Sequence, residues 1–208
     1  MSTTLPQTQT QLHSLVTPEG ELQLSLAEVA LDAPGPDQVV VRVEATPINP
    51  SDLGGLFAGA NPAAFESTGT PGHPSVKGQV PAAALPALRP RVGERLVVGN
   101  ESAGVVVAAG SSPEAQQLLG KTVALSGGEM YQQYRTIKAK ECLVLGDDAT
   151  PADGASSFVN PLTSQAMVEV MRAEGHKALI HTAAASNLGQ MLNRICIADG
   201  VDLVNVVR

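Results

Sequence analysis

Residues His181 to Gln190 read HTAAASNLGQ and follow the apolar run KALI. A strand that turns directly into a helix is where a dinucleotide-binding fold places G-x-G-x-x-G. There, bare backbone must meet a pyrophosphate at the helix N-terminus. Laid over that pattern, Ala184 takes the first glycine position, Ser186 the second and Gly189 the third. The first position makes a tight turn, which alanine tolerates. The third lets helix and strand pack closely, a role Gly189 keeps. Ser186 puts a side chain where backbone should approach phosphate, and its hydroxyl can either cap the helix or donate to a phosphate oxygen. Ala184, Ser186, Asn187, Leu188 and Gly189 are therefore candidate cofactor-binding residues; an ordinary strand-to-helix turn is the competing reading. About twenty positions on, a carboxylate would hold the ribose 2′-hydroxyl of NAD. Here the chain runs into Arg208, which can bind a 2′-phosphate and so points to NADPH, or can simply solvate a strand end.

The elements that must hold this turn form a βαβ unit. ALIHTAA reads as a strand, a helix follows from about Asn187, and VDLVNVV reads as a second strand. The helix carries Leu188, Met191, Leu192, Ile195 and Cys196 at i, i+3, i+4, i+7 and i+8, one apolar face, and Gly200 stops it. Upstream, Asn160 is placed to cap and Pro161 to start a helix with Ala166, Met167, Val170 and Met171, closed by Gly175. Strand, helix and strand within about thirty residues build a parallel sheet. One such unit cannot cover both faces of that sheet. The chain is therefore expected to be part of a longer protein whose remainder holds most of the sheet.

From Leu22 to about Leu145 the pattern is different. LQLSL, QVVVRVEAT, RLVVG, AGVVVAAG, KTVAL and CLVL are short strands separated by Gly and Pro, as in a small barrel or sandwich. One helix is expected among them, capped by Ser112, begun by Pro113 and ended by Gly120. Residues 56–94 are rich in Pro, Gly and Ala without a period, and read as a long surface loop or as a lid beside a pocket. The expected division is a flexible tail over 1–20, a barrel domain over 21–160 containing the 56–94 loop, and the start of a nucleotide-binding domain over 161–208.

Composition limits the chemistry. The hydrophobic fraction of 43% supports a real core, but with 2% aromatics it must be built from Val, Leu, Ala and Ile. A net charge of −7 without a basic stripe argues against nucleic acid. Cys142 and Cys196 are far apart and the four histidines are scattered, so no metal or redox spacing is present. Two unpaired thiols suit a reducing, cytoplasmic setting. The opening MSTTLPQTQTQ has no apolar core and does not read as a signal peptide, and no apolar run approaches a membrane span of about 20 residues.

The order of barrel strands, then VVGNESAGVVVAAG, GEMYQQYRTIKAKECLVL, NPLTSQAMV and HTAAASNLG, resembles the medium-chain dehydrogenase/reductase superfamily. The branch it is most similar to is the zinc-free NADPH:quinone oxidoreductases. The resemblance runs from about Leu22 to Arg208. It implies a GroES-like barrel followed by an incomplete Rossmann domain, with NADPH in the cleft between them. It also implies a small-molecule electron acceptor, no nucleic acid or membrane partner, and a homodimer. Zinc-dependent members carry a cysteine near INPSDLGG and a histidine in G-H-E. This sequence has Asn49, Pro50, Ser51 and Asp52 at the first site and Gly99, Asn100 and Glu101 at the second. Without a Lewis acid, hydride transfer to an already electron-poor quinone or enone is the implied reaction.

Site residues follow by matching. Asn49 sits where relatives keep an asparagine near the nicotinamide, where an amide can orient the carboxamide or the acceptor oxygen; otherwise it is a turn residue before Pro50. Thr163 matches a cleft threonine, or is a hydroxyl that stabilises its own helix. Asn49 and Thr163 are the candidate catalytic residues. Asp52 and Glu101 can form an acid and base pair, with buried structural ion pairing the favoured reading. Tyr131 and Tyr134 are read as barrel packing, and His181 as a satisfied core histidine. Ser186 and Asn187 replace glycines of close relatives. The rival to an oxidoreductase is a non-catalytic GroES-like module that binds a partner or self-associates.

Overall fold

The computed structural model describes residues 5–207. Arg208 lies outside the described residues. The chain divides into two compact units, one up to Ala155 and one from Ser156 onward.

In the first unit, β1 (Thr8–Val16) and β2 (Glu21–Ala30) form a long hairpin, followed by β3 (Gln38–Ala45) and α1 (Pro50–Phe57). Next come β4 (Glu66–Ser67), β5 (Ser75–Gln79), α2 (Leu85–Leu88), β6 (Arg95–Val97) and β7 (Glu101–Ala109). After α3 (Pro113–Gln117) the unit ends with β8 (Thr122–Ser126), β9 (Tyr134–Lys138), β10 (Leu143–Val144) and α4 (Pro151–Gly154). These strands make two five-stranded antiparallel sheets, ordered β4-β5-β2-β1-β6 and β10-β8-β7-β3-β9. The sheets join where residues 131–133 meet β1. There the Leu12 N–H donates to Tyr131 O at 2.9 Å and the Gln133 N–H to Thr10 O at 3.1 Å. Val39, Val41, Val106, Val123, Leu125 and Met130 fill one core, and Val16, Leu22, Leu24 and Val80 the other. Each such side chain contributes roughly 1.5–3 kcal/mol on burial, so valine and leucine carry what aromatics usually would.

The second unit contains α5 (Val159–Ala173), β11 (Ala178–His181), α6 (Asn187–Asp199) and β12 (Asp202–Asn205). β11 and β12 are parallel, with Ala178 opposite Asp202 and His181 opposite Asn205. Leu179 and Leu203 pack with Val168, Leu192 and Cys196 of α5 and α6. The residues one step along, Ile180 and Val204, are 71% and 55% exposed. The architecture is thus the expected one, a mixed barrel-type unit followed by a parallel βαβ unit.

Several local expectations are corrected. The 1–20 segment is not a flexible tail throughout. β1 pairs with β2 from Thr8–Ala30 to Val16–Leu22. Its inward positions include buried Gln9, His13 and Ser14, so hydropathy alone misses it. Hydrogen bonds make such burial tolerable; the Gln9 side chain, for example, accepts the Tyr134 N–H at 2.9 Å.

The barrel holds more than one helix. In α1 the Asp52 carboxylate accepts the Asn49 N–H at 2.7 Å, and Pro50 takes a first-turn position where no N–H partner is needed. Gly54 and Gly55 lower its propensity and hide it in the sequence. The 56–94 segment is not a structureless loop either: β5 pairs with β2 from Glu21–Gln79 to Ser25–Ser75. Its order comes from packing rather than periodicity. A Cβ on Gly78 would lie 2.5 Å from the Phe65 ring, and that ring meets Phe57 edge-on at 5.6 Å. Finally, Asn160 is not a cap. Phe158 holds that position, and the Asn160 carbonyl accepts the Ser164 hydroxyl at 2.8 Å inside the helix. Pro161 fits there because first-turn N–H groups have no intrahelical acceptor.

Candidate functional site

In the first unit, Asn49 is 3% exposed. Its side-chain Nδ2 donates to Glu101 Oε1 at 2.9 Å, joining the start of α1 to the start of β7. Asp52 accepts two backbone amides, that of Asn49 at Oδ2 and that of Asn100 at Oδ1, 2.9 Å away. The Asn100 side chain donates to the Ser51 hydroxyl at 2.9 Å. Asp52 is therefore held by amides rather than by a cation, which corrects the ion-pair expectation for it. Tyr131 donates to Pro47 O at 3.0 Å. Burial, and then the nearby Asp52 carboxylate, raise its phenol above the ordinary range, so it stays protonated at neutral pH. Ser51, Asp52, Gly55, Arg95, Asn100 and Glu129 border a cavity of about 350 Å³.

A guanidinium supports this region. Arg91 donates to Gly55 O at 3.0 Å and to the Ser14 hydroxyl at 2.8 Å. Ser14 in turn donates to Leu56 O at 2.8 Å. Of the last carbonyls of α1, Gly55 O is thus capped by the guanidinium and Leu56 O by the Ser14 hydroxyl, and the cation also complements the helix dipole. Arg91 was not legible as a site-supporting residue, because its partners are 36 and 77 positions away.

In the second unit, β11 ends at His181 and Thr182–Ala185 form the turn into α6. Ser186 is the cap of α6, and its hydroxyl accepts the Gly189 N–H at 3.0 Å. A Cβ on Gly189 would fall 2.5 Å from Ala184 O and 2.7 Å from Ala183 O. Only a residue without a side chain permits this approach of helix to turn. The Asn187 and Leu188 amides, in the first helical turn, have no intrahelical acceptor. The Ser186 hydroxyl still has its proton to donate. These groups fit an anionic pyrophosphate: amides at the N-terminus of a 13-residue helix, a hydroxyl and a close glycine.

Thr163 also lies in this unit. Its hydroxyl donates to Val159 O, one turn back, at 2.5 Å, and it borders an apolar cavity with Met167, Met171 and Leu179. The Nε2 of His181 is buried without a hydrogen-bond partner among the described residues, which corrects its reading as a satisfied histidine. The structure therefore gathers Asn49, Asp52, Asn100 and Glu101 in one unit, and Ala184 to Gly189 in the other. No three His, Cys, Asp or Glu side chains among the described residues come together as metal ligands do. No helix among them is long and apolar enough to cross a membrane.

Comparison with known proteins identifies the family. The sequence profile of the alcohol dehydrogenase GroES-like domain matches residues 35–156. A curated relative, the mitochondrial enoyl-[acyl-carrier-protein] reductase of Bos taurus, is 27% identical over 187 residues, covering 89% of this chain and 43% of its own. The crystal structure of a proposed NADPH:quinone reductase from Mesorhizobium loti superposes with a TM-score of 0.67 at 29% identity, over 99% of this chain and 56% of that one. A mycobacterial protein solved with NADPH has the same fold, with a TM-score of 0.62 at 20% identity over 96% of this chain and 53% of its own. The chain thus spans about half the length of the proteins it matches. It belongs to the alcohol dehydrogenase GroES-like domain family, within the medium-chain dehydrogenase/reductase superfamily.

Proposed function

We propose that this chain carries the barrel and the opening nucleotide-binding unit of an NADPH-dependent, zinc-independent oxidoreductase that reduces a quinone or enone-like small molecule. The observation that carries the reading is the Gly189 contact, because a helix drawn this tightly onto a strand end leaves its first-turn amides open to a phosphate. NADPH, when bound, supplies the hydride. Asn187 and Leu188 offer backbone amides to the pyrophosphate, Ser186 a hydroxyl proton, and Ala184 a turn without a bulky side chain. Arg208 is the residue the sequence pattern offers for charge at the 2′-phosphate. Glu101 fixes the Asn49 amide in one orientation, so that amide can hold either the nicotinamide carboxamide or the acceptor oxygen. The Thr163 hydroxyl, its proton held by Val159 O, keeps its lone pairs for a donor group of the bound cofactor.

Asn100 stands where zinc-dependent members carry a histidine, and the stretch around Asn49 lacks their cysteine; an amide is a poor zinc ligand. An electron-poor acceptor needs no Lewis acid. The relatives' names, an enoyl reductase and a proposed NADPH:quinone reductase, support this acceptor class. The protein works as a homodimer in the cytoplasm, where Cys142 and Cys196 remain thiols.

A second reading, a non-catalytic self-association module, draws on the exposed apolar residues Ile180, Val204, Val206 and Val207. The longest form of the protein that its gene encodes should oxidise NADPH faster than NADH when offered 1,4-benzoquinone or a 2-enoyl thioester, before and after chelator treatment. Failure to bind or oxidise NADPH, with light scattering showing a stable oligomer, would favour the second reading instead.

A further inference from the structure

At the carboxyl ends of β11 and β12, a cavity of about 300 Å³ is bordered by Ala184, Gln190, Asn193, Arg194, Asn205 and Val207. Gln190, Asn193 and Arg194 are spaced i, i+3 and i+4 on α6, and so share one face. That face is distinct from the one that buries Leu192 and Cys196. The Asn205 side chain donates to Asn193 Oδ1 at 3.0 Å, tying helix to strand across the cavity floor. The lining contains one cation and no carboxylate.

The charge pattern is specific. In this unit Arg172 is committed to Glu169 and Asp199, and Lys177 precedes β11 at the opposite end of the strands. Among the described residues Arg194 has no hydrogen-bond or ion-pair partner. A free ribose 2′-hydroxyl at this place wants an acceptor, usually a carboxylate at the strand end. A 2′-phosphate wants the reverse, a planar cation and N–H donors. The cavity offers the second set: the Arg194 guanidinium, the Asn193 Nδ2, and the one Gln190 N–H left after its donation to Ala185 O at 3.2 Å.

We propose that Arg194 receives the 2′-phosphate of the dinucleotide, and is a determinant of NADPH over NADH that the sequence pattern does not reveal. This rests on the reading of the second unit as a nucleotide site. It differs from the Arg208 assignment in that the charge comes from the helix rather than from beyond the strand.

The test uses the full chain, labelled with ¹⁵N, and two probes that differ only in the 2′-phosphate: adenosine 2′,5′-bisphosphate and adenosine 5′-monophosphate. Amide shifts over residues 184–207 should half-saturate at about tenfold or more lower concentration with the bisphosphate, the size of one charge-assisted contact. Arg194→Gln should remove most of that preference, and Arg194→Lys should keep part of it, since charge survives while the planar fork does not. Arg194 is exposed, so both variants should keep a dispersed spectrum. An unchanged preference in Arg194→Gln, with its loss in Arg208→Gln, overturns the proposal in favour of Arg208. Equal affinity for both probes in the unmodified chain overturns the proposal but not the nucleotide site. No shift with either probe overturns both.

Discussion

Gly189→Ala is the substitution on which the nucleotide reading is most exposed. The added Cβ would sit 2.5 Å from Ala184 O and 2.7 Å from Ala183 O, whereas a carbon and a carbonyl oxygen rest at about 3.3–3.6 Å. Both neighbours are backbone. They are held by the Ser186 N–H bond to Ala183 O at 2.9 Å and the Ala184 N–H bond to Val206 O at 3.4 Å. Relief therefore requires the first turn of α6 to lift by roughly 1 Å, which also strains the Ser186 cap. Overpacking of this kind costs about 1–3 kcal/mol and a lost cap about 1 kcal/mol. Alanine's better helix propensity returns up to about 1 kcal/mol. The net expectation is about 1–3 kcal/mol, which increases local opening roughly five- to 150-fold.

Hydrogen exchange read by NMR should show protection falling in α5, α6, β11 and β12 and unchanged in β3 and β7. Gly200→Ala is the control. Gly200 has φ +66°, and a Cβ there meets nothing within 4 Å, so the variant carries only the left-handed backbone penalty of about 1 kcal/mol. If Gly189→Ala proves no more damaging than Gly200→Ala, the tight helix-to-turn contact is not what the geometry implies and the phosphate turn loses its main support.

Two further outcomes are expected. Arg91→Met keeps the aliphatic stem but leaves Gly55 O and the Ser14 hydroxyl short of a donor. Urea unfolding should show a loss of about 1–3 kcal/mol, and an unchanged midpoint would mean that water replaces the guanidinium at no cost. Burial, and then Arg95, lower the His13 imidazole below its ordinary 6.5. The unfolded chain then takes up a proton before the folded one does, so the melting temperature should fall as pH drops below about 6.5 and level off beneath the depressed folded value. His13→Gln should flatten that slope, and a slope identical to wild type would assign the effect to another group.

What could be read in advance divides along physical lines. The second unit is local. The stripe of Leu188, Leu192 and Cys196, the Gly200 stop and the Gly189 turn all lie within twenty residues, and each signals through periodicity or a special backbone need. β1 is the opposite case. Its buried Gln9 bonds to Tyr134 and its Gln11 to Gln132, partners more than a hundred residues away that no window along the chain can see. α1 was concealed by Gly54 and Gly55, and its cap becomes evident only once Asp52 is seen to close on Asn49. In the candidate site, Asn49 stood out through the family resemblance alone. The Glu101 oxygen that fixes its amide comes from a strand 52 positions later. Arg194 carries no signal in the sequence, because a polar residue on an amphipathic helix ordinarily signals nothing more than solvent.

The double anchorage of α1 has a consequence for divergence. Asp52 binds its first turn to the approach of β7 through Asn100, while Ser14 and Arg91 hold its last turn. None of these anchors lies in residues 61–74, where all but Phe65 are exposed. Lengthening a flexible connection costs only about 0.6 kcal/mol for each doubling. A lineage can therefore insert, delete or rewrite residues around the Thr70–His73 tip while Asn49 keeps its place. Inheritance of the buried amide and drift of the outer hairpin become separable traits, so homologues should differ most in length and composition where the chain is least tied to the helix that carries Asn49.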